Sequence, residues 1–197
     1  MTTGSHGKFF CFLPVIAACL ILSPFLSGND VYKARMLTGK APVEPPAVNV
    51  RIEIESYTTS EEVQLLQESM NQGGTQALLN SFQGMKKGVV RIMSQRGWNM
   101  PVHAAFVIHR EKGIQVRCFL LRQAWDPGSQ MGRTGANFFM VVELNLDEKG
   151  KGEGRFYEDA GININPMAGT IEMTQYGSAP KVLVQASLVK PKEEKPK

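Results

Sequence analysis

The sequence has little cysteine. Of the 3 cysteines in 197 residues, two lie in an apolar N-terminal stretch and only Cys118 is found in the rest of the chain. A single cysteine cannot form an intramolecular disulfide, so packing has to stabilise the domain. Cys118 lies in the apolar string of residues 116–121. This setting is typical of a buried small side chain rather than of a nucleophile.

The chain also lacks a strong charge of either sign. It carries 22 lysines and arginines against 18 acidic residues, which gives a formal net charge of +4. Arg110, Arg117 and Arg122 lie near Phe119 and Trp125 in the sequence, but no known DNA- or RNA-binding motif surrounds them. The sequence therefore predicts no nucleic-acid partner, and it favours arginines that solvate a sheet edge.

No motif for nucleophilic catalysis, phosphate binding or metal binding is present in the sequence. The pattern G-x-S-x-G is missing. Residues 128–134 depart from the phosphate-loop pattern because the spacing is one residue short, Arg133 replaces lysine and a predicted strand follows. His103 and His109 would share one strand face at a separation of about 20 Å, which is too far for one metal ion. We therefore expect solvated or edge histidines, no metal and no cofactor.

An uncharged apolar run at residues 9–26 follows Lys8. This order is typical of an export signal, so we predict that residues 1–28 form a signal peptide cleaved after Gly28. Two alternatives stay open. The run is at the lower limit for a retained membrane anchor, and residues 16–19 resemble a lipobox that would acylate Cys19. The predicted location is periplasmic or extracellular, with membrane contact only through this segment.

Composition divides the rest of the chain into three parts. Residues 29–46 carry proline, glycine and charge without apolar periodicity, which predicts a Pro-rich linker. Residues 190–197 contain no apolar side chain other than proline, which predicts a charged, disordered tail. Residues 47–189 are enough for a single globular domain with one core.

Apolar spacing predicts the first elements of this domain. Residues 48–54 alternate between apolar and polar side chains, which is the pattern of a strand with one buried face. Residues 58–62 then provide helix-capping chemistry. Two apolar stripes separated by Gly73 and Gly74 predict a two-helix hairpin, with Leu66, Leu78 and Phe82 facing the sheet.

From residue 89 onward the pattern predicts β-strands, at residues 89–94, 102–110, 114–123, 137–146, 154–165, 170–175 and 181–189. Short glycine-containing turns at residues 111–113 and 147–152 favour antiparallel neighbours, because parallel strands need long crossovers. The predicted fold class is α+β: a mainly antiparallel curled sheet of about seven or eight strands with an inserted two-helix hairpin.

Five local patterns occur in a fixed order along the domain. They are the alternating strand, the Ser60-Glu61-Glu62 helix start, the glycine pair between the helices, a turn at residues 97–101 and a glycine-rich hairpin at residues 146–154. In this order they resemble a family of small secreted bacterial proteins of unassigned function, over most of residues 47–175. The shared motifs are turns and caps, so the resemblance implies a fold and assigns no functional residue.

The candidate site in the sequence is the long loop at residues 126–136, because the other connections are short. Trp125, Met131 and Arg133 are large side chains in or beside this expected surface loop, which favours contact with a ligand or partner. We interpret the chain as a non-enzymatic extracytoplasmic module that binds a small apolar ligand or an envelope protein through this loop and the concave face of the sheet. A small hydrolase or isomerase with a site assembled from distant residues, or a structural envelope component, are the alternatives.

The export prediction is tested by the mass of the protein isolated from its native host. Removal of residues 1–28 should leave an N-terminus at Asn29, because Lys8 and the apolar run form the positive and apolar regions of a signal. Acylation at Cys19 would instead give a chain beginning at that residue with an added lipid mass. An unprocessed chain recovered from the cytoplasm would contradict export.

Overall fold

The computed structural model describes residues 29–38, 46–93, 98–122 and 138–189. These residues form ten strands and one helix: β1 (Asp30–Leu37), β2 (Ala47–Ile54), α1 (Ser60–Gly84), β3 (Gly88–Met93), β4 (Trp98–Val102), β5 (Ala104–Arg110), β6 (Gly113–Leu121), β7 (Phe139–Leu146), β8 (Lys151–Asn165), β9 (Thr170–Tyr176) and β10 (Lys181–Val189). Every strand pair is antiparallel. The α+β class and the antiparallel sheet are thereby confirmed. The predicted signal peptide, the loop at residues 126–136 and the tail at residues 190–197 lie outside the described residues.

The predicted linker at residues 29–46 is wrong over its first half, because residues 30–37 form β1. This strand pairs with β2 on one side and with β10 on the other. Tyr32, Ala34 and Met36 are buried, while Lys33 and Arg35 alternate with them and point outward. The folded domain therefore includes residues 30–37, upstream of the predicted boundary at residue 47.

The sheet has more strands than the seven or eight predicted, because β1 and β4 were not recognised. β4 contains Pro101, and its sequence was interpreted as a turn. Val102 accepts a hydrogen bond from Lys87 N at 2.8 Å. Since backbone groups alternate along a strand, the missing N–H of Pro101 would have pointed away from β3 and costs no bond there.

The strand order closes the sheet into a ring. Hydrogen-bonded neighbours follow the path β4-β3-β2-β1-β10-β8-β7-β6-β5, and β9 pairs with β8 beside this path. The two ends of the path, β4 and β5, are one chain segment interrupted only at His103. At that point the chain changes partner: Val102 bonds to Lys87 next to β3, and His103 N donates to Phe119 O of β6 at 2.9 Å.

The inside of the closed sheet is filled by its own side chains. The buried cluster there draws on every strand of the path, with its largest members on β1, β2, β6, β7, β8 and β10: Tyr32, Ile52, Leu120, Leu144, Phe156 and Leu183. A ring of about eight strands is just wide enough for side chains to meet at its centre. The apolar side chains that alternate along the strands thus point inward and form a single core.

The helical part is one element rather than the predicted hairpin of two helices. α1 runs from Ser60 to Gly84 and is bent at Gly73 and Gly74, whose backbone is not helical. Gly74 has φ 63° and ψ −155°, a conformation that only glycine adopts readily. The bend is sharp, because Ser69 Oγ and Ser81 Oγ are 2.8 Å apart although twelve residues of straight helix span about 18 Å. The two glycines turn the chain without a separate loop, and the helical halves on either side of them lie next to each other.

The start of α1 is held by a capping box and a buried lysine. Thr59 Oγ1 accepts from Glu62 N at 3.3 Å, and Glu62 Oε2 accepts from Thr59 N at 2.9 Å. The other carboxylate oxygen of Glu62 lies 2.7 Å from Lys87 Nζ, which is largely buried. The pair ties the first turn of the helix to the residues that follow its last turn.

α1 packs on the outer face of the sheet, where a second apolar cluster forms. Both halves of the bent helix contribute to it, through Val63 and Leu66 from one half and Leu78 and Phe82 from the other. The sheet contributes Phe106, Phe119, Phe139, Val141, Tyr157 and Ile171. The predicted burial of Leu66, Leu78 and Phe82 is therefore confirmed.

Truncation of Phe82 tests how much this outer cluster stabilises the fold. Its ring is fully buried and makes an edge contact with Phe139 at 5.0 Å between centroids. Phe82→Ala should lower the free energy of unfolding by about 3 to 5 kcal/mol, because transfer and cavity terms add. Urea denaturation monitored by circular dichroism measures the loss.

Leu65→Ala is the matched control on the same helix, since Leu65 is 60% exposed. It should change the free energy of unfolding by less than about 1 kcal/mol. A similar small loss for Phe82→Ala would contradict the packing of α1 on the sheet.

Candidate functional site

The site residues predicted from the sequence cannot be located in the fold. Trp125, Met131 and Arg133 all belong to residues 123–137, which lie outside the described residues. The concave face of the sheet, the other predicted binding surface, is occupied by the apolar core. The candidate site therefore has to be built from other residues, at the outer surface and at the ends of the ring.

A cluster of two phenols and a carboxylate lies against the inner apolar core, to which Tyr32 belongs and on which Tyr57 packs. Tyr57 Oη donates to Asp30 Oδ2 at 2.6 Å and lies 3.1 Å from Tyr32 Oη. Tyr32 is 1% exposed and belongs to the interior of the sheet. Asp30 begins β1, whereas Tyr57 follows β2, so the hydrogen bonds attach the segment after β2 to the start of β1.

Both phenols in this cluster stay protonated at neutral pH. Burial raises the pKa of Tyr32 to about 12. Burial and the hydrogen bond to Asp30 also raise the pKa of Tyr57 above its ordinary value. A phenol with a raised pKa is a hydrogen-bond donor and a poor general base. The cluster therefore serves to position Tyr57.

The segment at residues 55–59 crosses from the end of β2 to the edge of β5. Glu55 N donates to Lys87 O at 2.8 Å at its start. Thr58 N donates to Ala105 O at 2.8 Å, and Ala105 N donates to Thr58 Oγ1 at 3.0 Å. Thr58 thus pairs with both backbone groups of one residue on the edge of β5.

A groove of about 460 Å³ lies where this crossing segment leaves β5. We call it the β5 groove; it is lined by residues 56–59, 106–109, 169 and 170. The crossing segment forms one wall and β5 forms another. Gly169, at the end of the turn before β9, and Thr170, the first residue of β9, complete the lining. Tyr57, held by Asp30 and Tyr32, therefore belongs to a prearranged wall of the groove.

The chemistry of the β5 groove is uncharged and mixed. Hydroxyl groups come from the crossing segment and from Thr170, and apolar surface comes from Phe106 and Ile108. His109 supplies the one imidazole among the described residues of its lining. In the part of the chain that the structure describes, no carboxylate, lysine or cysteine lines the groove. This lining therefore provides no pair of carboxylates for acid and base catalysis and no thiol nucleophile.

A second groove, of about 350 Å³, lies between the turns at residues 110–114 and 147–150, with Leu188 beside them. Its lining carries charges of both signs, including Arg110, Glu111 and Asp147. Asp147 Oδ1 already accepts from the backbone N–H groups of Lys149 and Lys151, at 2.9 Å each. This carboxylate therefore holds the turn.

The predicted solvated sheet edge does not apply to Arg117. This residue lies on β6, between β5 and β7, and its Nη2 is 2.8 Å from Glu143 Oε2. Gln115 Oε1 accepts from Arg110 Nη2 at 2.8 Å and from Arg117 Nη2 at 3.2 Å. These polar side chains lie on the outer face of the sheet, beside the aromatic residues on which α1 packs. They form hydrogen bonds and an ion pair with one another.

The two histidines have different environments. His109 is exposed at the end of β5, in agreement with the prediction of an edge histidine. The prediction is wrong for His103, which is 5% exposed and lies under the end of α1. Its Nδ1 is 2.9 Å from Met85 O, the carbonyl of the helix C-cap. The chain crosses from β4 to β5 at this residue, and the helix end covers it.

Cys118 lies inside the closed sheet, as its apolar neighbours in the sequence predicted. Burial raises the pKa of its thiol to about 12, so the thiol is not ionised at neutral pH. Within the parts of the chain that the structure describes, no group of three or more histidine, cysteine or acidic side chains could hold a metal ion.

The sequence analysis missed the residues that build the β5 groove. It interpreted residues 58–62 only as a helix cap, gave no role to Tyr57, and placed residues 106–109 in a strand with His109 at its edge. Tyr57 could have indicated that this segment packs against the domain, because a large aromatic side chain beside a helix cap usually buries its ring and bonds through its hydroxyl. The contact between Thr58 and Ala105 spans 47 residues of sequence, and no local pattern predicts it.

The fold and the groove together define a closed antiparallel-sheet domain with an external bent helix and a surface groove beside one strand edge. Comparison with protein-family models, curated proteins and solved structures finds no match for the chain. In the described ranges, no helix is long and apolar enough to cross a bilayer.

The buried His103 predicts a pH dependence of stability. Burial lowers the pKa of His103 below the 6.5 of an exposed histidine. Between the two pKa values the unfolded chain binds a proton that the folded chain does not, so the free energy of unfolding falls as the pH drops below about 6.5. Urea denaturation at pH 7.5 and at pH 5.5 should show this loss.

His103→Asn keeps a donor near the position of Nδ1 and removes the titration, so it should reduce the difference between the two pH values. His109→Asn is the control, because that ring is exposed. It should leave the difference nearly unchanged. Equal pH dependence in the parent and the His103→Asn variant would contradict the assignment.

Proposed function

We propose that this protein is a non-enzymatic binding module whose recognition site is the β5 groove. The observation that carries the proposal is a groove of about 460 Å³ with prearranged walls and an uncharged, partly apolar lining. Sites for small molecules and peptide segments are typically concave, mostly apolar and supplied with a few fixed polar groups. The β5 groove has this composition.

The fixed polar groups support binding rather than turnover. Tyr57 is held by Asp30 and Tyr32 at 2.6 and 3.1 Å. Thr58 is held through its backbone and its hydroxyl by Ala105. A wall that is ordered before the ligand arrives lowers the entropy cost of binding. Among the described residues, the lining of the groove lacks the paired carboxylates that many hydrolases use as acid and base.

We also propose that the protein is exported, and this part of the proposal depends on the sequence alone. Lys8 and the apolar run at residues 9–26 support export to an extracytoplasmic compartment. The ligand classes that fit are a small apolar molecule and a segment of an envelope protein. The likeness in motif order to small secreted bacterial proteins is consistent with both.

The test is a titration of the ¹⁵N-labelled protein with two probes, indole and the blocked tripeptide acetyl-Val-Thr-Val-amide, followed by amide chemical shifts. We expect shifts concentrated at residues 56–59, 106–109, 169 and 170 with at least one probe. Thr170→Trp should abolish them, because an indole ring on the wall fills the groove. Both probes should be recovered unchanged.

Thr174→Trp is the matched control. It places the same side chain on β9 at an exposed position that does not line the groove. It should bind the probes like the parent protein. Shifts scattered over the surface, or probe binding that survives Thr170→Trp, would contradict the proposal.

A further inference from the structure

The edge of β5 that faces the β5 groove offers backbone groups for pairing. On its other edge, β5 pairs with β6 from Ala104 to Arg110, and a two-residue turn joins Arg110 to Gly113. The residues that flank such a turn form a hydrogen-bonded pair. Because the backbone N–H and C=O groups of successive residues point to opposite edges of a strand, those of Ala104, Phe106 and Ile108 point toward β6.

Ala105, Val107 and His109 consequently direct their N–H and C=O groups to the opposite edge. The contacts of Ala105 confirm this direction, since both of its groups bond to Thr58. The pairing stops there, because the chain continues from Thr58 into α1. Among the residues that the structure describes, none pairs with the outward backbone groups of Val107 and His109. Both residues line the β5 groove.

We infer that the β5 groove binds an extended, uncharged peptide segment of another protein, which adds to the free edge of β5 as a further strand. The inference rests on the proposed function and names the ligand class for the same site. An open strand edge is a template for an added strand, and strand addition is a recurrent mode of peptide recognition. Thr58 already pairs with Ala105 on this edge, so a bound peptide would continue the same pairing along Val107 and His109.

The dimensions of the edge set the size of the segment. Val107 and His109 are two residues apart, which is about 7 Å along a strand. Their two donors and two acceptors match about three residues of an extended backbone. A small molecule satisfies one or two of these groups, whereas a peptide backbone presents its own donors and acceptors at the same repeat.

The lining sets the character of the segment. Its described residues include no carboxylate, lysine or arginine, so a charged side chain in the bound part of the peptide would lose its hydration without gaining an oppositely charged partner there. Phe106 and Ile108 lie on the outer face of β5 and offer apolar surface to every second side chain of the peptide. The segment therefore alternates apolar residues with small hydroxyl residues.

The experiment compares two substitutions at one edge position. His109→Ala removes the imidazole and keeps the backbone N–H, whereas His109→Pro removes both. Proline at this position leaves the pairing with β6 intact, because the N–H of His109 points away from β6. The probe is the blocked pentapeptide acetyl-Thr-Val-Thr-Val-Thr-amide, and the dissociation constant is measured by calorimetry on the full chain. Thermal melts check that both variants are folded.

We expect His109→Ala to bind the peptide within about threefold of the parent, and His109→Pro to bind it about tenfold more weakly, the effect of one lost hydrogen bond. A peptide N-methylated at its two valines should bind the parent protein at least as weakly. This second comparison does not require the proline variant to fold.

Two results together would overturn strand addition. One is that His109→Pro and His109→Ala bind the peptide with equal affinity, and the other is that the N-methylated peptide binds the parent protein as tightly as the unmethylated peptide does. Indole shifts that Thr170→Trp abolishes would in that case still support the β5 groove as a binding site. The absence of shifts with both indole and the peptide would reject the groove and the inference together. A free protein that is dimeric by light scattering, and that His109→Pro converts to a monomer, would assign the edge to a second copy and overturn the inference.

Discussion

The structure depends on the way one chain segment closes the sheet. Along β4 the segment pairs with β3, at His103 it changes partner, and along β5 it pairs with β6. An antiparallel sheet of ten strands with two open edges would leave two rows of backbone groups without partners. The change of partner at His103 joins the two ends of the sheet, because β4 and β5 are one chain segment. It also brings the inner faces of distant strands together, which makes one core of their alternating apolar residues.

The outer edge of β5 is left partly open by this closure, and the candidate site lies there. Beyond Val102 the segment leaves β3, and among the described residues the crossing segment after β2 is what pairs with this edge, at Ala105. Asp30 and Tyr32 hold Tyr57, and Ala105 holds Thr58. The same crossing residues continue into the helix, whose capping box and ion pair with Lys87 hold its first turn. One short segment, residues 55–59, therefore packs against the core, leads into α1 and forms a wall of the β5 groove.

The packed interior decides which kind of recognition the domain can support. Closed sheets with a wide interior hold ligands inside, but here Tyr32, Phe156 and their neighbours occupy that space. The recognition that we propose therefore lies at the surface, where the β5 groove combines backbone groups with an uncharged lining. Specificity in such a groove comes from the alternating side chains of the ligand, and affinity comes in large part from its backbone.

The sequence by itself determined the fold class, most of the strands after residue 89, the burial of Leu66, Leu78 and Phe82 on the helix, and the buried state of Cys118, because each of these follows from local periodicity. It did not predict β1, in which charged residues alternate with Tyr32 and Met36, or the strand that contains Pro101. Its site residues around Trp125 rested on loop length alone. Only the tertiary structure decided that the sheet closes, that His103 is buried under the helix end, and that Tyr57 meets Asp30. These features join residues distant in sequence, and no local spacing records which strand edge will be left without a partner.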